Sequence, residues 1–484
     1  KAALGAGEKA NSPPNVVFIL ADDLGWRDLG IYGSTYHETP NLDRLARRGL
    51  RFTLAYAANP LCSPTRSSIL TGLYPARIGI TSPACHLPQA VLEKGLVAAQ
   101  PNVRIRTADS LTRLKPEYVT LAEVFREHGY VTAHFGKWHL GHSGPYEPKD
   151  QGFMFDFPNT PAVPGPVGGY LAPWKFIKDP AIQGQPGEHI EDRMSQEAVR
   201  FIHQNKDKPF YLNYWCFSVH SPWSAKPKLV EYFKAKAKED SPQRNPVYAA
   251  MVKSLDDAVG RLVQAIDEAG LTERTIIIFF SDNGGFAYPP RNETQPPGYA
   301  EIPATSNAPL RSGKASIYEG GTREPLIIIW PNHTQPDSVT DVLFSSVDFF
   351  PTILEMCGLP LPSHQVDGVS QVFLGGDFIS VTKKDGEWQH LKPSILGVIM
   401  EHFVSGAPVF ADADADAAED DEFFDAADSD TVEQIKELLD TRVRPAVAGD
   451  GGDIKFRGFK DGTVYLAMKG SCSGCPSSTA TLKH

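Results

Sequence analysis

Residues 15–25, NVVFILADDLG, run from a continuous apolar stretch straight into two adjacent carboxylates, Asp22 and Asp23. A strand that is apolar at every position is buried on both faces, the pattern of a strand inside a parallel sheet. The same texture recurs at 209–217 (PFYLNYWCF), 275–282 (TIIIFFSD) and 325–330 (PLIIIW). Helical signals fall between these runs. Asn41 precedes LDRLARRG, with Gly49 as its stop. Thr120 and Glu123 form a capping box opening LAEVFREHG. A long amphipathic helix is predicted from about Pro246 to Gly270. Strands alternating with helices imply an α/β sandwich with a largely parallel central sheet. In such sheets the site lies beyond the carboxyl ends of the strands, which is where Asp22 and Asp23 stand.

The rest of the chain bounds this reading. Its 484 residues point to two or three domains. The 41% hydrophobic and 22% charged content is that of a globular protein. The apolar runs are strand-length, so no membrane span is expected. The net charge is −11, but residues 412–430, DADADAAEDDEFFDAADSD, carry ten acidic residues and no Lys or Arg, which leaves −1 elsewhere. That run reads as a solvated spacer. No basic patch suggests nucleic acid. The opening KAALGAGEKANSPP reads as a polar stub, left after removal of a signal peptide or other trimming. Six cysteines are too few and too scattered for a disulfide framework, and only Cys472 and Cys475 have a spacing with a mechanism.

Two neighbouring carboxylates remain ionised together only beside a cation or several donors. Asp22 and Asp23 therefore suggest a metal, as do Asp282 and Asn283 in FFSDNGG. Four oxygen ligands without His or Cys suit Ca²⁺ or Mg²⁺. Taken alone, each pair is an ordinary strand-end turn. The decisive stretch is 62–72, CSPTRSSILTG. Pro64 fits a first helical turn, so Cys62 belongs at a helix N-terminus, a position that favours anions. Arg66 adds a guanidinium shaped for a tetrahedral oxyanion. Glycines beside Lys137 and His139 (GKWHLG) and beside Lys314 (SGK) suggest tight backbone approach. Cys85 and His86 read as loop residues, with no partner ligand spaced nearby.

CSPTRSSILTG resembles the signature of the type I sulfatases of the alkaline-phosphatase-like superfamily. The resemblance runs over about residues 15–365 through LADDLGW, TPNLDRLARRG, GKWHLG, VHSPW, SDNGG and GKASIYEGGTREP. It implies that a separate maturation enzyme oxidises Cys62 to Cα-formylglycine, whose hydrate is the nucleophile. It implies Ca²⁺ held by Asp22, Asp23, Asp282 and Asn283, with position 62 touching the metal. Arg66 and Lys137 would stabilise the hydrate, and Lys314 would hold a sulfate oxygen. His220 would protonate the leaving oxygen, and His139 would take the proton that ejects sulfate. The implied substrate is a sulfated small molecule or glycan.

From about residue 368 the texture changes and resembles the NifU-like (NFU) iron–sulfur scaffold proteins. Residues 377–408 are similar to the end of their N-terminal domain, and 432–459 with GSCSGCPSS to their cluster-binding domain. Cys472 and Cys475 would be thiolate ligands. Two thiolates do not complete a [4Fe–4S] cluster, so two chains would share one and form a dimer. Thr431 and Gln434 read as the capping box of this segment's helix.

The expected organisation is a stub (1–14), a sulfatase catalytic domain (15–367) lacking its usual C-terminal subdomain, and a partial NFU N-terminal domain (368–410). An acidic linker (411–430) and a small, truncated α+β NifU-like domain (431–484) follow. The chain thus reads as a fusion. The sulfatase part points to a periplasmic or secreted location, the NifU-like part to the cytoplasm. The competing functions are a formylglycine-type phosphonate or phosphodiester hydrolase, and an iron–sulfur carrier with an inert sulfatase part.

Overall fold

The computed structural model describes residues 13–97, 106–289 and 302–362. It also describes 369–374, 379–383, scattered positions between 388 and 399, 423–444, 452–460 and 462–470. Most of the predicted stub, residues 411–422 of the acidic linker, and both Cys472 and Cys475 lie outside the described residues. The chain divides into two compact units, Lys1–Pro362 and Ser363–His484.

In chain order the first unit's strands are β1 (Asn15–Ala21), β2 (Leu50–Tyr56), β3 (Gly95–Leu96), β4 (Ala108–Asp109), β5 (Val131–Gly136) and β6 (Phe155–Phe157). They continue as β7 (Phe210–Trp215), β8 (Thr275–Ser281), β9 (Arg323–Ile329), β10 (Ser338–Thr340) and β11 (Phe344–Ser345). Its helices are α1 (Pro40–Ala46), α2 (Cys62–Thr71), α3 (Pro75–Ile78), α4 (Leu121–Glu127), α5 (Ile190–Asn205), α6 (Pro227–Lys236), α7 (Pro246–Glu268), α8 (Glu319–Thr322) and α9 (Phe349–Met356).

Among the described residues, nine strands form one sheet in the order β10-β2-β9-β8-β1-β7-β5-β6, with β11 beside β2. β1 lies at its centre, parallel to both β7 and β8. β5 is parallel to β6 and β7. β9 alone runs against its neighbours β2 and β8. The sheet is therefore mixed but mostly parallel, an alkaline-phosphatase-like α/β sandwich.

The side chains of β1 explain its unbroken apolarity. Val17, Ile19 and Ala21 join a core with Met194, Ala198 and Ile202 of α5 and Leu255, Val259 and Leu262 of α7. Val16, Phe18 and Leu20 join the opposite core, with Ile69 and Leu70 of α2, Phe125 of α4 and Ile353 of α9. Each such fully buried aliphatic or aromatic side chain contributes about 1.5–3 kcal/mol.

The Thr120 capping box is present: Thr120 Oγ1 accepts from Glu123 N at 3.2 Å, and Glu123 Oε2 accepts from Thr120 N at 2.8 Å. α7 starts at Pro246, with Asn245 Oδ1 accepting from Val247 N and Tyr248 N. α1 corrects the sequence reading. It starts at Pro40 after Thr39 and ends at Ala46. Proline pre-sets the first-turn φ, so Asn41 falls inside the helix. There its backbone and side-chain N–H groups donate to Asp256, each at 2.9 Å.

In the second unit, β12 (Val369–Leu374) pairs antiparallel with β13 (Ile379–Lys383). Helix α10 (Ser429–Leu438) is followed by the antiparallel hairpin of β14 (Gly452–Lys460) and β15 (Thr463–Gly470). Val432, Leu439, Ile454 and Phe456 form its core. α10 begins ahead of the predicted Thr431 cap, because a 3₁₀ turn at Ala426–Asp428 already coils the chain. The end of the predicted spacer is also structured. Phe423 N donates to Arg457 O at 3.2 Å and Phe459 N to Phe423 O at 2.9 Å. Phe423 supplies apolar surface that the surrounding acidic residues lack, and its ring lies 5.1 Å from that of Tyr465.

Candidate active site

The carboxyl end of β1 delivers Asp22 and Asp23, both buried, and Asp23 takes a left-handed φ of +63°. The carboxyl end of β8 delivers Asp282 and Asn283, also buried. Helix α2 begins at Cys62 and all ten of its residues are buried. A helix N-terminus carries unpaired N–H groups and partial positive charge, and here it opens beside the two strand ends. Cys62 Sγ stands 3.6 Å from Asp22 Oδ1.

Four cationic or imidazole groups converge on these acids. Arg66, one turn into α2, donates through Nε and Nη2 to Asp282 Oδ2 at 2.9 and 2.7 Å. Its Nη1 donates to Lys137 O at 2.9 Å, and its guanidinium lies 5.2 Å from the Trp215 ring centre. Lys137 Nζ donates to both oxygens of Asp22, at 2.9 and 2.7 Å. Lys314 Nζ donates to Asp23 Oδ2 at 2.6 Å and lies 3.8 Å from Cys62 Sγ. His220 Nε2 is 3.7 Å from Asp23 Oδ2.

The glycines serve the close approach expected of them. A Cβ on Gly136 would stand 1.9 Å from Trp215 O, and one on Gly313 would stand 2.4 Å from Gly285 O. These contacts let the chain carry Lys137 and Lys314 against the strand ends. His139 follows with a φ of +59°, its carbonyl accepting from Ser63 Oγ at 2.7 Å.

Burial would raise the Asp23 carboxyl, but Lys314, His220 and Lys137 outweigh it and hold the group well below the usual carboxylate range. Asp282 moves the other way, because burial and the nearby Asp22 charge outweigh Arg66. Burial pushes the Cys62 thiol up to about 12, against the pull of Lys137 and Lys314. His220 is pushed down to about 3 by burial and by the Lys314 and Lys137 charges. His139 is lowered by burial and then by Lys137 and Arg66. Both imidazoles are therefore neutral at pH 7.

Ligand atoms of Asp22, Asp23, Cys62 and His220 lie within 4.8 Å of one another. Asp282 Oδ1 borders this group by accepting from Asp23 N at 3.2 Å, and Asn283 by donating to Asp23 Oδ1 at 2.8 Å. The structure thus brings Asp22, Asp23, Cys62, Arg66, Lys137, His220, Asp282, Asn283 and Lys314 into one contact network. His139 shares its electrostatic field.

Two residues that support this network from outside escaped the sequence reading. Glu191 of α5 is buried and accepts from Phe217 N and Ser218 N at 2.9 and 2.8 Å, holding the turn that leads to His220. His86, read as a loop residue without a partner, bonds His139: its Nδ1 is 3.0 Å from His139 Nε2. These partners lie 26 to 53 residues apart, and no spacing rule links them.

Residues 14–359 match the Sulfatase family. Residues 363–406 match the Nfu/NifU scaffold protein N terminus, and 435–484 the NifU-like domain. The chain is 33% identical over 383 residues to N-acetylgalactosamine-6-sulfatase of Rattus norvegicus, covering 76% of this chain and 66% of that protein. It is 35% identical over 398 residues to arylsulfatase A of Homo sapiens, covering 77% and 70%. It thus spans about two thirds of the length of these curated relatives. The crystal structure of Ps i-CgsB superposes with a TM-score of 0.58 at 28% identity, over 72% of this chain and 73% of that one. Fold, family match and relatives agree: the chain belongs to the sulfatase family, with a NifU-like segment joined to its end.

Proposed function

We propose that the first unit hydrolyses a sulfate ester of a carbohydrate or aryl alcohol, with Cys62 acting after oxidation to formylglycine and with Ca²⁺ bound. The observation that carries this reading is the setting of Cys62. It opens a wholly buried helix between Asp22 and Lys314, at 3.6 and 3.8 Å. A thiol pushed up to about 12 is protonated at neutral pH and a poor nucleophile. As a formylglycine hydrate, position 62 would supply an oxygen nucleophile instead.

The donor set fits a hard cation. Three carboxylates meet there, and the buried Oδ1 of Asn283 has no hydrogen-bond partner among the described residues. Asp22, Asp23, Asp282 and Asn283 would hold Ca²⁺, which would supply positive charge to the sulfate oxygens. Lys314 would bind a sulfate oxygen, while Arg66 and Lys137 would stabilise negative charge at position 62. His220, held neutral by burial and by the Lys314 and Lys137 charges, would gain a proton once the sulfate anion offsets those charges, and would give that proton to the leaving alcohol oxygen. His139, neutral in its surroundings, would take a proton from position 62. The substrate class follows from the relatives, an N-acetylgalactosamine-6-sulfatase and an arylsulfatase.

For the second unit we infer an iron–sulfur scaffold role from its two NFU matches. Cys472 and Cys475 offer two thiolates per chain, a set that fits a [4Fe–4S] cluster only when two chains share it.

The test is to produce the chain with a formylglycine-generating enzyme and measure the peptide mass across Cys62. Sulfate release from 4-nitrophenyl sulfate and from sulfated sugars is then compared with turnover of phosphonate and phosphodiester analogues. Conversion at Cys62 with preferred sulfate-ester turnover is expected. Preferred phosphonate or phosphodiester turnover would overturn the sulfatase assignment.

A further inference from the structure

His139 has two ring nitrogens with different surroundings. Nε2 faces His86 Nδ1 at 3.0 Å, the rings lying 5.2 Å apart and tilted by 45°. Nδ1 is buried and has no hydrogen-bond partner among the described residues. His86 itself is half-buried, at the edge of the site.

One hydrogen lies between the facing nitrogens, since two lone pairs or two N–H groups would repel there. If His86 carries it, His139 must bear its own proton on Nδ1, an N–H buried without an acceptor. If His139 carries it, Nδ1 is a bare lone pair, and His86 holds its N–H on Nε2, at the half-exposed end of the pair. Orphaned buried N–H groups are rarer than under-used acceptors, so the second arrangement is favoured. It is also the one in which His139 can act as a base.

The loop carrying His86 is built to hold this contact. Arg113, 1% exposed, donates to the carbonyls of Cys85, Leu87 and Pro88 at 3.4, 3.0 and 3.4 Å. His142 Nε2 lies 3.3 Å from His86 O. From the other side, Ser63 Oγ fixes the His139 carbonyl at 2.7 Å. Both rings are thus anchored through their backbones. The groups whose charge acts on His139 are Lys137, Arg66, His86 and His220; those acting on His86 are Lys137 and His142.

We propose that His86 is the positioning residue of His139: its Nδ1 accepts the His139 Nε2–H, fixes that tautomer, and leaves His139 Nδ1 as the base that receives the proton from position 62. The proposal rests on the sulfate-ester reading given above. The proton balance is simple. His139 gains one proton at Nδ1 and keeps its Nε2–H, and the bond to His86 strengthens as the ring becomes cationic. A base oriented by a third group through its far nitrogen is a general device, here with a neutral imidazole as the orienting group.

The experiment uses the matured full chain and its His86→Ala and His86→Asn variants. Asparagine places an acceptor oxygen close to the position of Nδ1. With 4-nitrophenyl sulfate, His86→Ala is expected to lower kcat at least about tenfold, in the range of lost outer partners of functional histidines, with KM little changed. His86→Asn should recover most of that loss, which a merely structural role would not allow. Unchanged kcat in His86→Ala, or an equal loss in His86→Asn, overturns the proposal.

A second readout needs no turnover and no variant fold at position 86. In the native ¹⁵N-histidine-labelled chain, ¹⁵N–¹H correlation spectra should show His139, assigned through His139→Gln, protonated at Nε2 and bare at Nδ1. Protonation at Nδ1 overturns the proposal even if sulfate esters are turned over. The expected spectrum in a matured chain that cleaves no sulfate ester would instead overturn the functional reading and the base role, leaving only the hydrogen bond.

Discussion

Two regions of the sulfatase unit bury titratable groups, and they do so in opposite ways. At the ends of β1 and β8 the charges are kept, and each acid has a cation: Asp22 with Lys137, Asp23 with Lys314, Asp282 with Arg66. Elsewhere, His134 on β5 and His189 at the start of α5 are equally buried, but burial holds both down at about 3 and keeps them neutral. His134 sits among Trp138, Phe153 and Trp215, with no hydrogen-bond partner for either ring nitrogen among the described residues. Burying an unpaired ion costs several kcal/mol, so a group without a partner gives up its charge. At the candidate site, by contrast, each buried charge is retained beside a partner of opposite sign.

The largest test of this contrast is at position 62. Cys62→Ala should reduce sulfate release to background, a loss of about 10⁴-fold or more, and Cys62→Ser should do the same with the maturation enzyme present. Measurable turnover by the Ala variant would remove the site from the reaction. Next, Asp22→Ala or Asp282→Ala should lose bound Ca²⁺ and activity together, because an oxygen ligand is gone. Metal analysis with full occupancy in both variants would break the assignment.

Arg66→Met sharpens the comparison by stranding a buried acid. Removing one partner of such a pair costs about 3–5 kcal/mol, to be read from urea unfolding. Protonation of Asp282, already raised by burial, should soften that loss at low pH.

A smaller effect is expected from the neutral region. His134 and His189 have folded values near 3, below the unfolded value of about 6.5. The unfolded chain therefore binds protons first, and stability present above pH 6.5 is lost as pH falls. Between pH 7 and pH 6 the pair should contribute a loss on the order of 1 kcal/mol, and His134→Phe should remove about half of it. The smallest effect expected is none: Cys472→Ser with Cys475→Ser should leave sulfate-ester turnover unchanged, and a large loss there would reveal coupling between the units.

Much of the fold was legible in the chain because its signals are local. The unbroken apolarity of 15–21, 275–281 and 325–329 marks two-faced burial, and Thr120 with Glu123 marks a helix start. Pro64 places Cys62 at a helix N-terminus. The misplaced details were also local, where two signals compete. At α1 the proline at 40 outweighed the asparagine at 41, and at α10 a preceding 3₁₀ turn outweighed the threonine at 431. The antiparallel setting of β9 was not legible, since an apolar strand reads the same in either direction. The pairing of His86 with His139 was hidden for a different reason, that the contact crosses 53 residues.

By itself the sequence determined the α/β texture, the helix that begins at Cys62, the acids at the ends of two buried strands, and the resemblance that joins them to sulfate chemistry. The tertiary structure decided which charges meet. Lys137 reaches Asp22 across 115 residues, and Lys314 reaches Asp23 across 291. It decided that Asp23 is held low while Asp282 is raised, and which nitrogen of His139 is engaged. Coulomb energy and desolvation depend on distance and burial, and spacing along the chain encodes neither until the sheet brings the strand ends together.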